Sequence, residues 1–361
     1  MLEDGKISNK QIIFLIITII TSTTILLFPS LVYKEAKQDS WMTLFFLMVF
    51  GIIVVYIITT LGLMFKDKTI IQYSEIIVGK VLGKILGIIY FVFFIHINAF
   101  IIREFSELLL SSFYPETPML FFAIGIIIAS TYAVRSGIEV IGRVSEVLFP
   151  IFIIVISGIV ILAFKDMNFN NLIPILANGW APVLKGTYYE FLLIGETIVL
   201  AMLIPYLNIP QKVRKSGIIS IVSTCLLGIL ILGGIIAVFG EQTGYLRYPF
   251  LAVARYVSVA GIVERMDPLI MIIWIGGVFV KISVFHYCAV LALAQWLNIK
   301  DYRPLVLPVG GIMVVLSVIL WENIAILSEQ LTGIVIIPYL TIQVGIPVLL
   351  LIIAKLRKKE R

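Results

Sequence analysis

Long uninterrupted apolar runs dominate the hydropathy pattern of this chain, with few amphipathic stripes and no sustained alternation. A bilayer core demands about 20 helical residues. Runs that meet or approach that length fall at 11–33, 41–65, 85–110, 119–134 and 147–164. A second set follows at 187–207, 217–239, 269–297, 305–320 and 331–356, the shortest of the ten being 119–134 and 305–320. The pattern predicts an all-α integral membrane protein of about ten transmembrane helices. Residues 1–361 then form a single transmembrane domain with short polar tails.

Composition agrees. The chain is 61% hydrophobic and 13% charged, against about 45–50% apolar and about 25% charged in soluble domains, so no water-soluble core could hide its apolar surface. A formal charge of +6 invites a nucleic-acid reading, but the distribution of the basic residues points elsewhere. With both termini cytoplasmic, 18 Lys and Arg fall on the inner side and 7 on the outer, leaving Arg103 and Lys281 within spans. That asymmetry is the positive-inside rule at work, and it makes the lipid bilayer the partner, with no nucleic acid. The first run is about twice the length of a signal-peptide core and lacks a small-residue cleavage site, so it reads as a retained span. Cys225 and Cys288 both lie in apolar runs and suggest neither a disulfide framework nor a zinc site.

Matched interruptions divide the chain into two halves. Pro29 sits late in span one and Pro205 late in span six; a shift of 176 residues carries one onto the other and span two onto span seven. Five spans per half is an odd number, so the halves are inverted, with repeat one at about 11–164 and repeat two at about 187–356. The same shift brings the segment starting at Lys66 onto that starting at Gly244. Both have the helical spacing of interfacial helices, one on each side of the membrane.

Candidate chemistry concentrates at those interruptions. Span one carries Thr18, Thr21, Ser22, Thr23 and Thr24 just before Pro29, whose ring leaves the carbonyl of Ile25 without its helical donor. Span six repeats the device with Gly195, Glu196 and Thr197 ahead of Pro205. Irregular backbone at membrane depth is tolerated where protein, water or ligand satisfies it, and two matched breaks favour a binding site over an ordinary proline kink. A mid-span carboxylate costs roughly 2.5 kcal/mol or more unless it faces a partner, which turns Glu196 inward. Lys281 in span eight is too deep to snorkel and needs a partner, with Glu196 the first candidate and a purely structural ion pair the competing account. Arg103, Glu104 and Glu107 add to a polar interior, Arg103 and Glu107 sharing a face at i,i+4. Asn98 is a candidate cavity residue. His96 and His286 read as interhelical hydrogen-bond partners, and Trp180, Tyr188 and Tyr189 suit an interfacial belt. No catalytic or nucleotide-binding motif appears, so nothing supports an enzyme, and no cofactor or metal is implied.

The order of these features resembles the spore germination permeases, the B subunits of endospore germinant receptors, within the amino acid–polyamine–organocation superfamily. The segments that carry the likeness are ILLFPS, REFSELLLSSFYPETP, YAVRSGIEVIGRVSEVLFPIF, IGETIVLAMLIPYL, RYPFLAVARYVSVAGIVERMDPL and IWIGGVFVKIS. The resemblance implies a LeuT-like fold of two inverted five-helix repeats with broken helices 1 and 6. It implies a germinant (amino acid, sugar or nucleoside) held between spans one, six, three and eight. It also implies a spore inner-membrane location and partnership with the receptor's A subunit and lipoprotein C subunit. Carried over to this chain, the span-one break falls on Ser22, Thr23 and Thr24, and the span-six break on Gly195 and Glu196. Relatives usually place Gly-x-Gly in span one, and Ser22-Thr23-Thr24 departs from it. Lys281 departs too, putting an ammonium where sodium-coupled relatives of the fold offer oxygen ligands. The working alternatives are a germinant-receptor subunit and a proton-coupled small-solute symporter in which Glu196 or Lys281 changes protonation; an ion channel is a third.

Overall fold

The computed structural model describes residues 3, 5–259, 263–264, 266–322, 326, 329–330, 333 and 335–357. Helices dominate, since a bilayer-embedded chain satisfies its backbone groups most simply within one segment. They are α1 (Asn9–Thr24), α2 (Phe28–Ala36), α3 (Thr43–Met64), α4 (Ile70–Val78), α5 (Lys80–Ser112), α6 (Met119–Ser136) and α7 (Ile138–Ala163). The second half holds α8 (Trp180–Gly195), α9 (Leu200–Leu203), α10 (Val213–Phe239), α11 (Pro249–Tyr256), α12 (Asp267–Leu297), α13 (Arg303–Ile319) and α14 (Ile336–Leu356). Among the described residues the strand content is one antiparallel pair, Ser258–Val259 with Val263–Glu264.

Among the described residues, eight helical stretches are long and apolar enough to cross a membrane, and α13 is a shorter apolar helix. One of the eight stretches, Phe28–Met64, joins α2 to α3. Span one is therefore α1 plus α2, and the total is the ten that hydropathy implies. Burial separates centre from rim. Within its most apolar window Trp180–Tyr206 is 89% buried, whereas Ile138–Asp166 is 22% buried; span six is the axis of the bundle and α7 faces outward. α12 packs against α1, α5, α6, α7 and α13.

Several helices start earlier than their apolar runs: α5 at Lys80 rather than 85, α7 at Ile138 rather than 147, and α8 at Trp180 rather than 187. Hydropathy marks the lipid-suited portion, while helical hydrogen bonding continues through polar turns such as that of Glu139 and Arg143. The expected start of span ten at 331, Arg265 and the tail from 358 onward lie outside the described residues. The two segments expected to be interfacial helices are α4 and α11. α4 opens on a Thr69 and Gln72 capping box and buries Ile70, Ile71, Tyr73 and Ile77; α11 buries Phe250, Leu251, Val253 and Ala254.

The breaks differ from expectation in detail. α1 stays helical through Ser22, Thr23 and Thr24, and the turn comes after them at 25–27, before α2 restarts with Pro29 in its first turn. The proline sets that position, because it denies a donor to Ile25 and favours the opening turn of a new helix. In span six the helix does not unwind after Gly195. It tightens into a 3-10 turn at Glu196–Val199, resumes as α9, and tightens again at Ile204–Tyr206 around Pro205.

The N-terminal segment seals one end of the bundle. Ile7 pairs with span six in a parallel bridge, its N–H donating to Tyr206 O (2.9 Å) and its carbonyl accepting from Asn208 N (3.0 Å). Glu3 accepts from Ile138 N (2.8 Å), at the start of α7, and from the hydroxyls of Tyr287 (2.8 Å) and Tyr302 (3.2 Å). Burial, and next the Glu3 charge, raise the Tyr302 phenol above its ordinary value, which keeps it a donor. Hydrogen bonds to a charged group contribute roughly 1.5–3 kcal/mol, so Glu3→Ala is expected to destabilise this end by about 2 kcal/mol. A thermal-unfolding midpoint in detergent equal to that of the unaltered chain would refute the assignment.

Candidate functional site

At the heart of the bundle a fully buried lysine meets both broken spans. Lys281 Nζ donates to Glu196 Oε1 at 2.7 Å and to Thr23 Oγ1 at 2.7 Å, and its side chain has no exposure. Each element delivers its part for a local reason. α12 runs unbroken past the centre and carries the long lysine stem. The 3-10 turn that begins at Glu196 aims its carboxylate at that stem, and the last turn of α1 offers Thr23 from the other side.

The cluster is only partly satisfied. Glu196 Oε2 is buried without a hydrogen-bond partner, and so are both carboxylate oxygens of Glu104 on α5, a residue 1% exposed. An ion pair in so dry a place holds its geometry tightly, because removing one member strands the other at a cost of about 3–5 kcal/mol. Unpaired carboxylate oxygens beside it are acceptors without donors. A polar solute bearing donor groups would satisfy them.

The broken helices are braced by side chains that the sequence reading passed over. Trp274 Nε1 donates to the carbonyl of Ser22 (2.8 Å), and its ring stacks on Phe105 with centroids 5.4 Å apart. On the opposite side, α14 opens into a π turn at Thr341–Gly345, a feature common at functional sites. Gln343 in that turn donates from Nε2 to the Leu192 carbonyl (3.2 Å). A Cβ at Gly195 would collide with the Gln343 side chain, so the glycine is required for this close approach. The available signals were faint: an indole a turn inside span eight, and one glutamine in a largely apolar last span.

The remaining candidates separate. Ser22, Thr24 and Thr197 hydroxyls donate to carbonyls of their own helices, Ile19, Ile20 and Ile194, so of these hydroxyls Thr23 is the one that reaches Lys281. Asn98 is held by the Ile282 carbonyl (3.2 Å) and Met313 Sδ (3.1 Å), which ties it to the α12 and α13 packing rather than to the Lys281 cluster. Arg103 pairs with Glu107 at 3.0 Å and donates to the Glu322 carbonyl, with Arg247 at 3.9 Å from Glu107; this pairing leaves Glu104 aside. Both histidines make interhelical bonds, His96 with Tyr339 (2.6 Å) and His286 with Ser130 and the Val306 carbonyl.

A family model described as spore germination protein matches residues 6–354. The chain belongs to that family. Among curated members, it is 27% identical to spore germination protein KB of Bacillus subtilis (strain 168), covering 100% of this chain and 97% of that one. It is likewise 27% identical to spore germination protein YndE of the same organism, covering 98% of each. Among solved structures it is similar to MhsT in complex with L-phenylalanine, with a TM-score of 0.70, 11% identity, and coverage of 95% and 97%. It is also similar to a substrate-bound Na+-coupled sialic acid symporter, with a TM-score of 0.65, 12% identity, and coverage of 94% and 79%. This chain thus has the fold of those transporters, with its own helices 1 and 6 interrupted, and is a multi-pass membrane member of the spore germination family.

If the pair carries the stability of the site, Lys281→Met alone is expected to cost about 3–5 kcal/mol by leaving Glu196 uncompensated, and adding Glu196→Gln is expected to restore part of the loss. Unfolding midpoints of the two single variants and the double variant form a cycle. Strictly additive effects would mean that the two residues do not act as a pair.

Proposed function

We propose that this chain is the membrane-embedded B subunit of a germinant receptor. It binds a small nutrient germinant, an amino acid, a sugar or a nucleoside, near the bilayer midplane between α1, α5, α8–α9 and α12. The single observation that supports this most is the Lys281, Glu196 and Thr23 cluster joining the two broken spans, with unpaired acceptors on Glu196 and Glu104 beside it. A ligand that exchanges hydrogen bonds with these groups changes what holds α1 to α12. It therefore binds two arrangements of the bundle with different affinity, which is the requirement for a ligand-driven shift. The receptor's A subunit and lipoprotein C subunit read that shift. Both termini lie on the cytoplasmic, spore-core side of the spore inner membrane, in keeping with the excess of Lys and Arg there.

The chemistry of the site bears on ligand choice. Helix one stays wound through Ser22, Thr23 and Thr24, so its N–H groups remain engaged and unavailable to a ligand carboxylate. Lys281 is the cation available to an anionic group, and Glu196 and Glu104 favour ligands rich in N–H or O–H donors.

Spores carrying this chain as their only B subunit, with its A and C partners, are expected to germinate on a subset of amino acids, sugars or nucleosides. Glu196→Gln at normal protein level is expected to raise the half-maximal germinant concentration about ten-fold or more, the worth of one charge-assisted hydrogen bond. An unchanged dose response would move the site elsewhere. A second reading, a proton-coupled symporter, is favoured by the titratable pair at the centre. Solute accumulation in proteoliposomes under an imposed pH gradient would select it, whereas a receptor binds without accumulating.

A further inference from the structure

An open cavity of about 440 Å³ lies between α4 and the end of α12, with Lys80 at the start of α5 on its rim. Ligand pockets run to about 300–1,000 Å³, so the space takes a group larger than one water or a bare ion. Gln295 in its lining is about 20 Å along α12 from Lys281, which separates the cavity from the central cluster. Arg357, just after α14, donates to the Ile77 carbonyl of α4 (2.9 Å). The cavity therefore sits at the end of the bundle where the basic C-terminal run begins.

Its polar lining is made of donors. Thr69 Oγ1 accepts from Gln72 N in the capping box of α4, so its own hydrogen goes to Gln295 Oε1. That contact orients the Gln295 amide and leaves Nε2 for the cavity. Gln295 is 9% exposed, and its Nε2 makes no hydrogen bond among the described residues. Gln72 is oriented in the same way, its Oε1 accepting from Thr69 N (3.1 Å). These two amides stand with the ammonium groups of Lys68 and Lys80, and α5 starts at Lys80 with no side-chain cap on its positive end. The acceptors nearby are committed. Glu75, the one carboxylate of the lining, pairs with Lys84 at 3.3 Å. The carbonyls of Ala294, Gln295 and Trp296 accept from Ile299 N, Asn298 N and Lys84 Nζ. Free donors beside unpaired positive charge call for an anion.

We propose that this cavity binds the phosphate headgroup of an anionic phospholipid, held by Lys68 and Lys80 together with the amides of Gln72 and Gln295. Phosphate can arrive on a soluble molecule or on a lipid, and the surroundings select the lipid. Val81, Leu82 and Ile85 follow Lys80 on α5 with 75%, 58% and 49% exposure, an apolar strip that leads away from the donors and suits acyl chains. Basic pockets between spans on the cytoplasmic side hold acidic headgroups in this manner. A headgroup there ties α4 to α12, the helix that carries Lys281. Its binding does not depend on whether the central cluster takes a germinant.

Native mass spectrometry of the full chain in detergent, without any nutrient, tests this by titration with phosphatidylglycerol or with phosphatidylcholine of the same acyl chains. One phosphatidylglycerol per chain is expected to bind about ten-fold or more tightly than phosphatidylcholine. Lys68→Gln with Lys80→Gln alters two exposed side chains, and is expected to weaken phosphatidylglycerol about ten-fold or more. Gln295→Met is expected to weaken it as well, whereas Lys300→Gln, exposed outside the lining, is expected to leave it intact. Equal binding of the two lipids overturns the proposal. So does a loss from Lys300→Gln as large as that from the lysine pair, since that is attraction to charge in general. Displacement of the lipid by an equal concentration of inorganic phosphate makes a soluble anion the occupant and overturns the lipid assignment.

Discussion

A lysine with no exposure, midway along a bilayer-length helix, must be neutralised where it stands. Its stem is too short to reach an interface. That constraint organises the centre of the molecule. Glu196 supplies the counter-charge and Thr23 a further acceptor, both at 2.7 Å, and each comes from a span interrupted by proline. The two interruptions let side chains of three helices converge on one ammonium. Trp274 and Gln343 bond the Ser22 and Leu192 carbonyls beside those interruptions, so the irregular backbone is braced from both sides.

Pairing at the centre has a consequence for motion. Packed helices switch between discrete arrangements rather than deforming continuously, and a ligand moves such an equilibrium only by its difference in affinity for the two states. An ion pair linking α12 to span six, with α1 attached through one hydroxyl, is a contact a polar solute can compete for. The two ends of the molecule are held by other polar contacts. Glu3 and Ile7 bind the N-terminal segment across one end. Arg103 with Glu107, beside Arg247, lies at the other end of α5.

Much of the fold was legible because the bilayer imposes one length and one rule on every span. The ten apolar runs, the matched prolines and the helical character of α4 and α11 follow from hydropathy and spacing alone. Lys281 and Glu196 were legible as partners for the same reason: two opposite charges at mid-depth need each other. What escaped was set by three-dimensional approach. Asn98 was expected near the cavity, but its rotation on α5 turns it to Ile282 and Met313. Gln343 gave no periodic or charge signal, and its role comes from a π turn that only packing against Gly195 makes sensible. The break in span one was placed on the hydroxyl cluster, although the proline that causes it acts one turn later, after Thr24.

The most direct measurement of the central claim is a structure of the full receptor complex with a nutrient that triggers it, determined with and without that nutrient. The account predicts ligand density within hydrogen-bond reach of Glu196 or Lys281, with the Lys281 to Thr23 contact lengthened or lost. Density bound elsewhere, with the Lys281, Glu196 and Thr23 contacts unchanged between the two states, would contradict it.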